Sequence, residues 1–367
     1  MKNSSLAVLL TGVLLLVGCF PVELSVSKDG RVLIPRQEGF CVLATADKSQ
    51  AKVVYTPKGE QPVWAAFAGD GKSFVAISQG KADMGDRGYT LRNVTMDGSA
   101  KSLTKLSNLL YARLSGDGAR ISLTRAADAE SKTLGKKMPE LLVVSAADGT
   151  TKTLLSDVAA MHRWTSDSKS ILAVHVTARE KDSDQYAGKL VTVDPATGKT
   201  TDVASVLAGD KIFIDVSPDG GKVLLAALKV LPPTQAVPGK TEDKVALFEV
   251  DLKSGQVRLL KNKTLLGVYS PKGDRVLACT ETTEGVMEVS VASGDMKTFT
   301  AIATDAAKSA GSSDIYPTWL DNETPLYIGL LAVYGTEAKN FRLLALSADG
   351  KTRRNFQPNI DLAVEEK

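Results

Sequence analysis

Histidine and cysteine are scarce in this 367-residue chain, which carries two His, at 162 and 175, and three Cys. So few ligands exclude a His-rich metal centre, a thiolate cluster and a disulfide-rich scaffold. Charge of one sign is also missing, because 45 Lys+Arg against 42 Asp+Glu leave only +3. That balance cannot supply the dense basic footprint of a phosphate-backbone binder, so no nucleic-acid partner is expected. Aromatics are 5% of the chain. The sequence has no Gly-Xaa-Ser-Xaa-Gly elbow, phosphate-binding loop, dinucleotide fingerprint or zinc-protease helix motif, and no cofactor is expected. With 43% hydrophobic and 24% charged residues, the composition is that of a folded globular protein.

The first residues carry an address. Lys2 precedes an uncharged run from Leu6 to Val17, too short for the roughly 20 apolar residues of a spanning helix and matched to a signal peptide. The junction Leu16-Val17-Gly18-Cys19 resembles the bacterial lipobox. That resemblance implies cleavage after residue 18 and acylation of Cys19, making the mature protein a lipid-anchored envelope protein. By the same resemblance, Phe20 rather than Asp after Cys19 implies transfer to the outer membrane of a two-membrane bacterium, with the protein facing the periplasm. Two or three acyl chains hold a protein on a bilayer stably where one does not. Cys41 and Cys279 remain; both lie in apolar runs and are expected as buried free thiols.

Beyond the signal, short apolar runs punctuated by Gly, Asp and Ser predict an all-β chain. A turn recurs seven times, as Ser27-Lys28-Asp29-Gly30, Ala68-Gly69-Asp70-Gly71, Ser115-Gly116-Asp117-Gly118, Thr165-Ser166-Asp167-Ser168, Ser217-Pro218-Asp219-Gly220, Ser270-Pro271-Lys272-Gly273 and, degenerate, Leu320-Asp321-Asn322-Glu323. Each sits between apolar columns. A hydroxyl beside an Asp that bonds nearby amides, followed by Gly at positive φ, is the chemistry of a tight turn. A second hairpin signal follows each copy, so each repeat is expected to hold four antiparallel strands, the signature of a propeller blade. The turns resemble those of TolB-like and WD-repeat-like propellers of bacterial envelope proteins. The fold expected is all-β, a seven-bladed β-propeller over 19–357, with a signal peptide at 1–18 and a tail at 358–367; six or eight blades are the alternatives.

Propeller chemistry belongs on the innermost strands around the channel, and there the residue before the apolar column is Ser25, Ala66, Arg113, Arg163, Asp215, Val268 or Thr318. Arg113, Arg163 and Asp215 therefore form a candidate polar cluster at one level. Two guanidinium groups could take a carboxylate or phosphate. The preferred reading is structural, with Arg163 and Asp215 paired between blades and Arg113 solvated. His162 shares the strand parity of Trp164 and is expected in the core.

The connections between second and third strands are long and fall on the face opposite the tight turns. They include Ala126 to Glu140, Ala178 to Gly188 and Leu231 to Lys244. Their Arg87, Lys136, Lys137, Arg179 and Lys181, with Tyr186, are the candidate binding face on mobile backbone. The function expected is a non-enzymatic scaffold for a protein or peptide partner of the envelope. The rival is a propeller hydrolase or lactonase-like enzyme with a polar or metal site at the channel.

Overall fold

The computed structural model describes residues 25–36, 39–43, 52–80, 88–179, 185–209, 212–237, 244–281, 287–303, 316–319, 321–332, 339–346 and 353–355. Cys19, Arg87 and Lys181 lie outside them. Among the described residues the regular structure is all strand, and no helix is long and apolar enough to cross a membrane.

Among the described residues the strands form seven antiparallel sheets that follow one another along the chain. Sheet 1 holds Ser25–Val26, Val32–Arg36, Gly39–Leu43 and Lys52–Tyr55; sheet 2 holds Gln61–Phe67, Ser73–Gln79, Gly88–Thr95 and Ala100–Ser107. Sheet 3 is Leu109–Leu114, Arg120–Ala126, Pro139–Ser145 and Thr151–Leu155. Sheet 4 is Val158–Trp164, Ile171–Arg179, Tyr186–Val193 and Thr200–Ala208. Sheet 5 is Phe213–Val216, Lys222–Ala227, Ala246–Asp251 and Val257–Asn262; sheet 6 is Thr264–Tyr269, Arg275–Glu281, Met287–Ser293 and Phe299–Ala303. Sheet 7 is Tyr316–Trp319, Pro325–Ala332, Lys339–Leu346 and Arg353–Asn355.

One sheet departs from the expected four strands. The segment Lys229–Leu231, from the connection inside sheet 5, pairs with the outer strand of sheet 4 through Ser205↔Leu231, Val206↔Val230 and Leu207↔Lys229. It supplies hydrogen-bond partners to an edge that would otherwise stand open.

Strand alternation builds the core at the seams. In the third strand of sheet 3, Leu142 and Val144 join a cluster with sheet 2, while Leu141 and Val143 join one with Trp164, Ile171 and Ala173 of sheet 4. Successive side chains point to opposite faces, so each sheet serves two seams. The same division puts Leu33, Phe40 and Phe74 between sheets 1 and 2. Leu172, Ile214 and Leu225 lie between sheets 4 and 5, and Leu224, Leu277 and Cys279 between sheets 5 and 6.

The recurring turns close as their residues dictate. Ser217 Oγ donates to Asp219 Oδ1 at 2.6 Å, Gly221 N donates to the same oxygen at 3.0 Å, and Gly220 turns with φ of 73°. In sheet 4 a serine stands at the glycine position, and Ser168 takes φ of 60°. Its strain is met by contacts across the seam, where Ser168 O accepts from Arg120 Nη2 at 2.7 Å and Ser168 Oγ from Asp117 N at 3.2 Å.

Two loop expectations are corrected. The connection assigned to Ala178 to Gly188 is strand at both ends, since the second strand runs to Arg179 and the third starts at Tyr186, whose buried ring packs with Leu190 and Val206. Tyr186 is thus core, because its strand parity points it inward. The connection between Ala126 and Pro139 is tied down rather than free, with Leu134 and Met138 packed against the seam of sheets 4 and 5 and Ser131 Oγ donating to Asp157 Oδ2 at 2.9 Å.

Candidate functional site

The inner strands bring Arg113, Arg163 and Asp215 together, as the column predicts. Asp215 Oδ1 accepts from Arg163 Nε at 3.0 Å and from Nη2 at 2.6 Å, while Oδ2 accepts from the backbone N of Tyr269 at 2.9 Å. One carboxylate therefore joins sheets 4, 5 and 6. Burial opposes the charge on Arg163, but Asp215 and the Tyr111 hydroxyl override it and raise its pKa above the usual arginine value. The expected inter-blade ion pair is present.

Arg113 is not solvated. Its Nε and Nη2 are shut off from water, and its guanidinium lies 4.9 Å from the centroid of the Tyr111 ring. Burial first, then the charge of Arg163, push its pKa well below the arginine range, with Asp215 partly compensating. The reason is parity: Arg113 points along the seam toward sheet 4, where Tyr111 meets the edge of His162 at 5.1 Å between centroids.

His162 is a core residue, as its parity predicts. It is 1% exposed, its Nε2 lies 2.8 Å from Ser122 Oγ, and burial pushes its pKa down to about 3, offset only in part by the hydrogen bonds at Ser122 and Ala160. Cys41 and Cys279 are buried free thiols, and burial drives Cys279 up to about 12. Neither His162 nor Cys279 is available near neutrality as a base or nucleophile. Among the described residues no group of three or more His, Cys, Asp or Glu side chains is placed to hold a metal ion.

Of the candidate face, Lys137 is exposed, Lys136 half-buried on the tethered connection, and Arg179 half-buried at a strand end. The turn face holds a feature that inner-strand reasoning missed. A cleft of about 220 Å³ opens between sheets 5 and 6, lined among others by Lys222, Glu249, Arg258, Tyr269 and Lys272. Glu249 is 7% exposed at its base. Its Oε1 accepts from Lys222 Nζ at 3.3 Å and Arg258 Nη2 at 2.9 Å, and its Oε2 from the Tyr269 hydroxyl at 3.1 Å. Burial and the neighbouring Glu249 raise the Tyr269 pKa, so the phenol stays a donor. The available signal was a lone carboxylate inside the apolar run Val245 to Val250.

A half-buried carboxylate sits at sheet 2. Glu60 accepts from Ser78 Oγ at 2.5 Å, Thr90 Oγ1 at 2.9 Å and Arg92 Nη1 at 2.6 Å. Burial alone would raise its pKa, yet these bonds hold it at about 2. Every partner belongs to the same sheet, so this network is internal bracing.

No family model matches the chain, and no curated protein matches it. Solved structures do share its fold. TolB from Acinetobacter baumannii aligns at 14% identity over 90% of this chain and 77% of that one, with a TM-score of 0.51. An oligogalacturonate lyase from Vibrio parahaemolyticus aligns at 14% over 73% and 76%, with a TM-score of 0.55. Prolyl oligopeptidase B from Galerina marginata aligns at 11% over 93% of this chain but 51% of its own, with a TM-score of 0.60. The fold is a TolB-like β-propeller, one that carries enzymes as well as TolB.

Proposed function

We propose that this chain is a lipid-anchored envelope protein whose propeller is a non-enzymatic scaffold for a protein or peptide partner. The observation that carries the reading is the fate of the inner-strand polar groups. Asp215 is occupied by Arg163 and the Tyr269 amide, and His162 by Ser122, so these side chains hold sheets together. A rigid body with its reactive groups withdrawn and its charges on connections suits recognition.

The anchor rests on the run Leu6 to Val17 and the junction ending at Cys19. Recognition is assigned to the long-connection face, with Arg87, Lys136, Lys137, Arg179 and Lys181. Affinity purification of the acylated protein with its envelope neighbours tests the proposal. A specific co-purifying protein is expected, and Cys19→Ser should leave membranes without losing its fold. Full membrane retention of Cys19→Ser after a high-salt wash would remove the lipid anchor from the account.

The rival reading, a hydrolase or lyase working from the channel, is favoured by the fold shared with the oligogalacturonate lyase and the prolyl oligopeptidase. It requires acidic oxygens converging on a metal or a substrate. Turnover of a small ester, lactone or uronate panel that Asp215→Asn abolishes without unfolding would establish it.

A further inference from the structure

The cleft between sheets 5 and 6 has a charge arrangement that its own residues do not use up. Three carboxylates line it, and all are engaged. Asp219 Oδ1 accepts from Ser217 Oγ and Gly221 N, Asp295 Oδ1 from Lys297 N, and Glu249 from Lys222, Arg258 and Tyr269. Three cations, Lys222, Arg258 and Lys272, line it as well, so the charges balance in number, but Asp219 and Asp295 turn to backbone amides and a hydroxyl rather than to these three. Lys222 and Arg258 share the single oxygen Oε1 of Glu249 and remain 45% and 43% exposed. Lys272 stands at the rim on the turn of sheet 6, exposed, and its ammonium has no carboxylate partner among the described residues.

We infer that this cleft receives a carboxylate side chain from an acidic, extended segment of a partner protein. The entering carboxylate meets Lys222 and Arg258 at the base and Lys272 at the rim. Charge-assisted bonds to two kinds of donor give it both attraction and orientation. A phosphate dianion fits less well, because Asp219, Glu249 and Asp295 face the same space and repel a second negative charge more than a first. About 220 Å³ also suits one or two side chains rather than a folded domain. Glu249 has a defined part, since it holds Lys222 and Arg258 side by side without neutralising both. This inference goes beyond the scaffold reading, because the cleft lies among the tight turns, on the face opposite Lys136 and Lys137.

The test uses the full chain and an end-blocked Gly-Glu-Gly-Glu-Gly peptide, with its Gln counterpart and inorganic phosphate as controls. Titration calorimetry should show binding of the Glu peptide that weakens with added salt. Amide hydrogen exchange should slow at 217–222 and 293–297. Lys272→Glu should lower the affinity about tenfold, equivalent to roughly 1.4 kcal/mol, whereas Lys28→Glu, on the matching turn of sheet 1, should leave it unchanged. The inference is overturned if the Gln peptide binds as well, if Lys272→Glu binds as tightly as the parent, or if phosphate binds the same cleft more tightly. Protection confined to the 127–138 connection would likewise refute the cleft while leaving the scaffold reading intact.

Discussion

The seam between sheets 3 and 4 and the seams around sheet 5 use equivalent strand positions for different chemistry. At the former, Trp164 Nε1 donates to Arg113 O at 3.3 Å, Thr124 Oγ1 to Ala160 O at 2.6 Å, and a neutral His162 meets Ser122. Around sheet 5 the joining groups are ions, with Arg163 on Asp215 and both Lys222 and Arg258 on Glu249. Uncharged groups need only one partner each and join most of the seam between sheets 3 and 4, whose cations Arg113 and Arg120 lie over the rings of Tyr111 and Trp164 rather than on a carboxylate across it. Buried ions need several, and the side chains gathered to satisfy them leave a polar cleft at the surface.

The largest expected effect comes from removing the ion at the centre of the charged seams. Asp215→Ala leaves Arg163 without its counter-ion and the Tyr269 amide without its acceptor, and should cost about 3 to 5 kcal/mol by denaturant unfolding. Asp215→Asn keeps an acceptor and should fall between that variant and the parent. Equal stability of all three would show that the charged seams do not depend on the ion.

The neutral seam should fail in acid. His162 has a folded pKa of about 3 against an ordinary 6.5, so below 6.5 the unfolded chain takes up a proton that the folded chain refuses. The stability it contributes is complete above pH 6.5 and is lost as pH falls toward 3, by roughly 3 kcal/mol at pH 4. His162→Asn, a near replacement that does not titrate, should flatten that limb of the stability-against-pH curve; an unchanged slope would place the titration elsewhere. Glu60, held at about 2, adds its own loss at lower pH, as pH drops below the ordinary carboxylate range.

A smaller loss is expected at the tryptophan. Trp164→Phe keeps a ring beneath Arg120, which lies 5.0 Å from the Trp164 centroid, but removes the bond to Arg113 O. The cost should be about 1 kcal/mol, read from the urea midpoint. A loss as large as that of Asp215→Ala would mean that the neutral seam is not the simpler of the two.

How the sequence foreshadows these seams differs between them. Turn chemistry is local, so Ser217-Pro218-Asp219-Gly220 and its copies announce the repeat, its spacing and the inner-strand column that brings Arg163 to Asp215. Parity along one strand suffices to send His162 inward. The cleft draws on four strands, with Lys222, Glu249 and Arg258 from sheet 5 and Tyr269 from sheet 6. Only register reveals that Arg258 lies directly opposite Glu249. Arg113 illustrates the same limit, because its burial depends on the Tyr111 ring two residues back and on the sheet beyond. The added strand Lys229–Leu231 precedes a proline-containing connection and carries no turn signal of its own.

The smallest effect on stability, and the most direct test of the scaffold reading, comes from the long-connection face. Lys136→Glu, Lys137→Glu and Arg179→Glu combined should change unfolding free energy by no more than about 0.5 kcal/mol per site. Recovery of envelope partners on the acylated protein should nevertheless fall, while Asp215→Asn, measured below its melting transition, should recover them as the parent does. Undiminished recovery by the triple variant, with loss on Asp215→Asn alone, would contradict the account and move function into the channel.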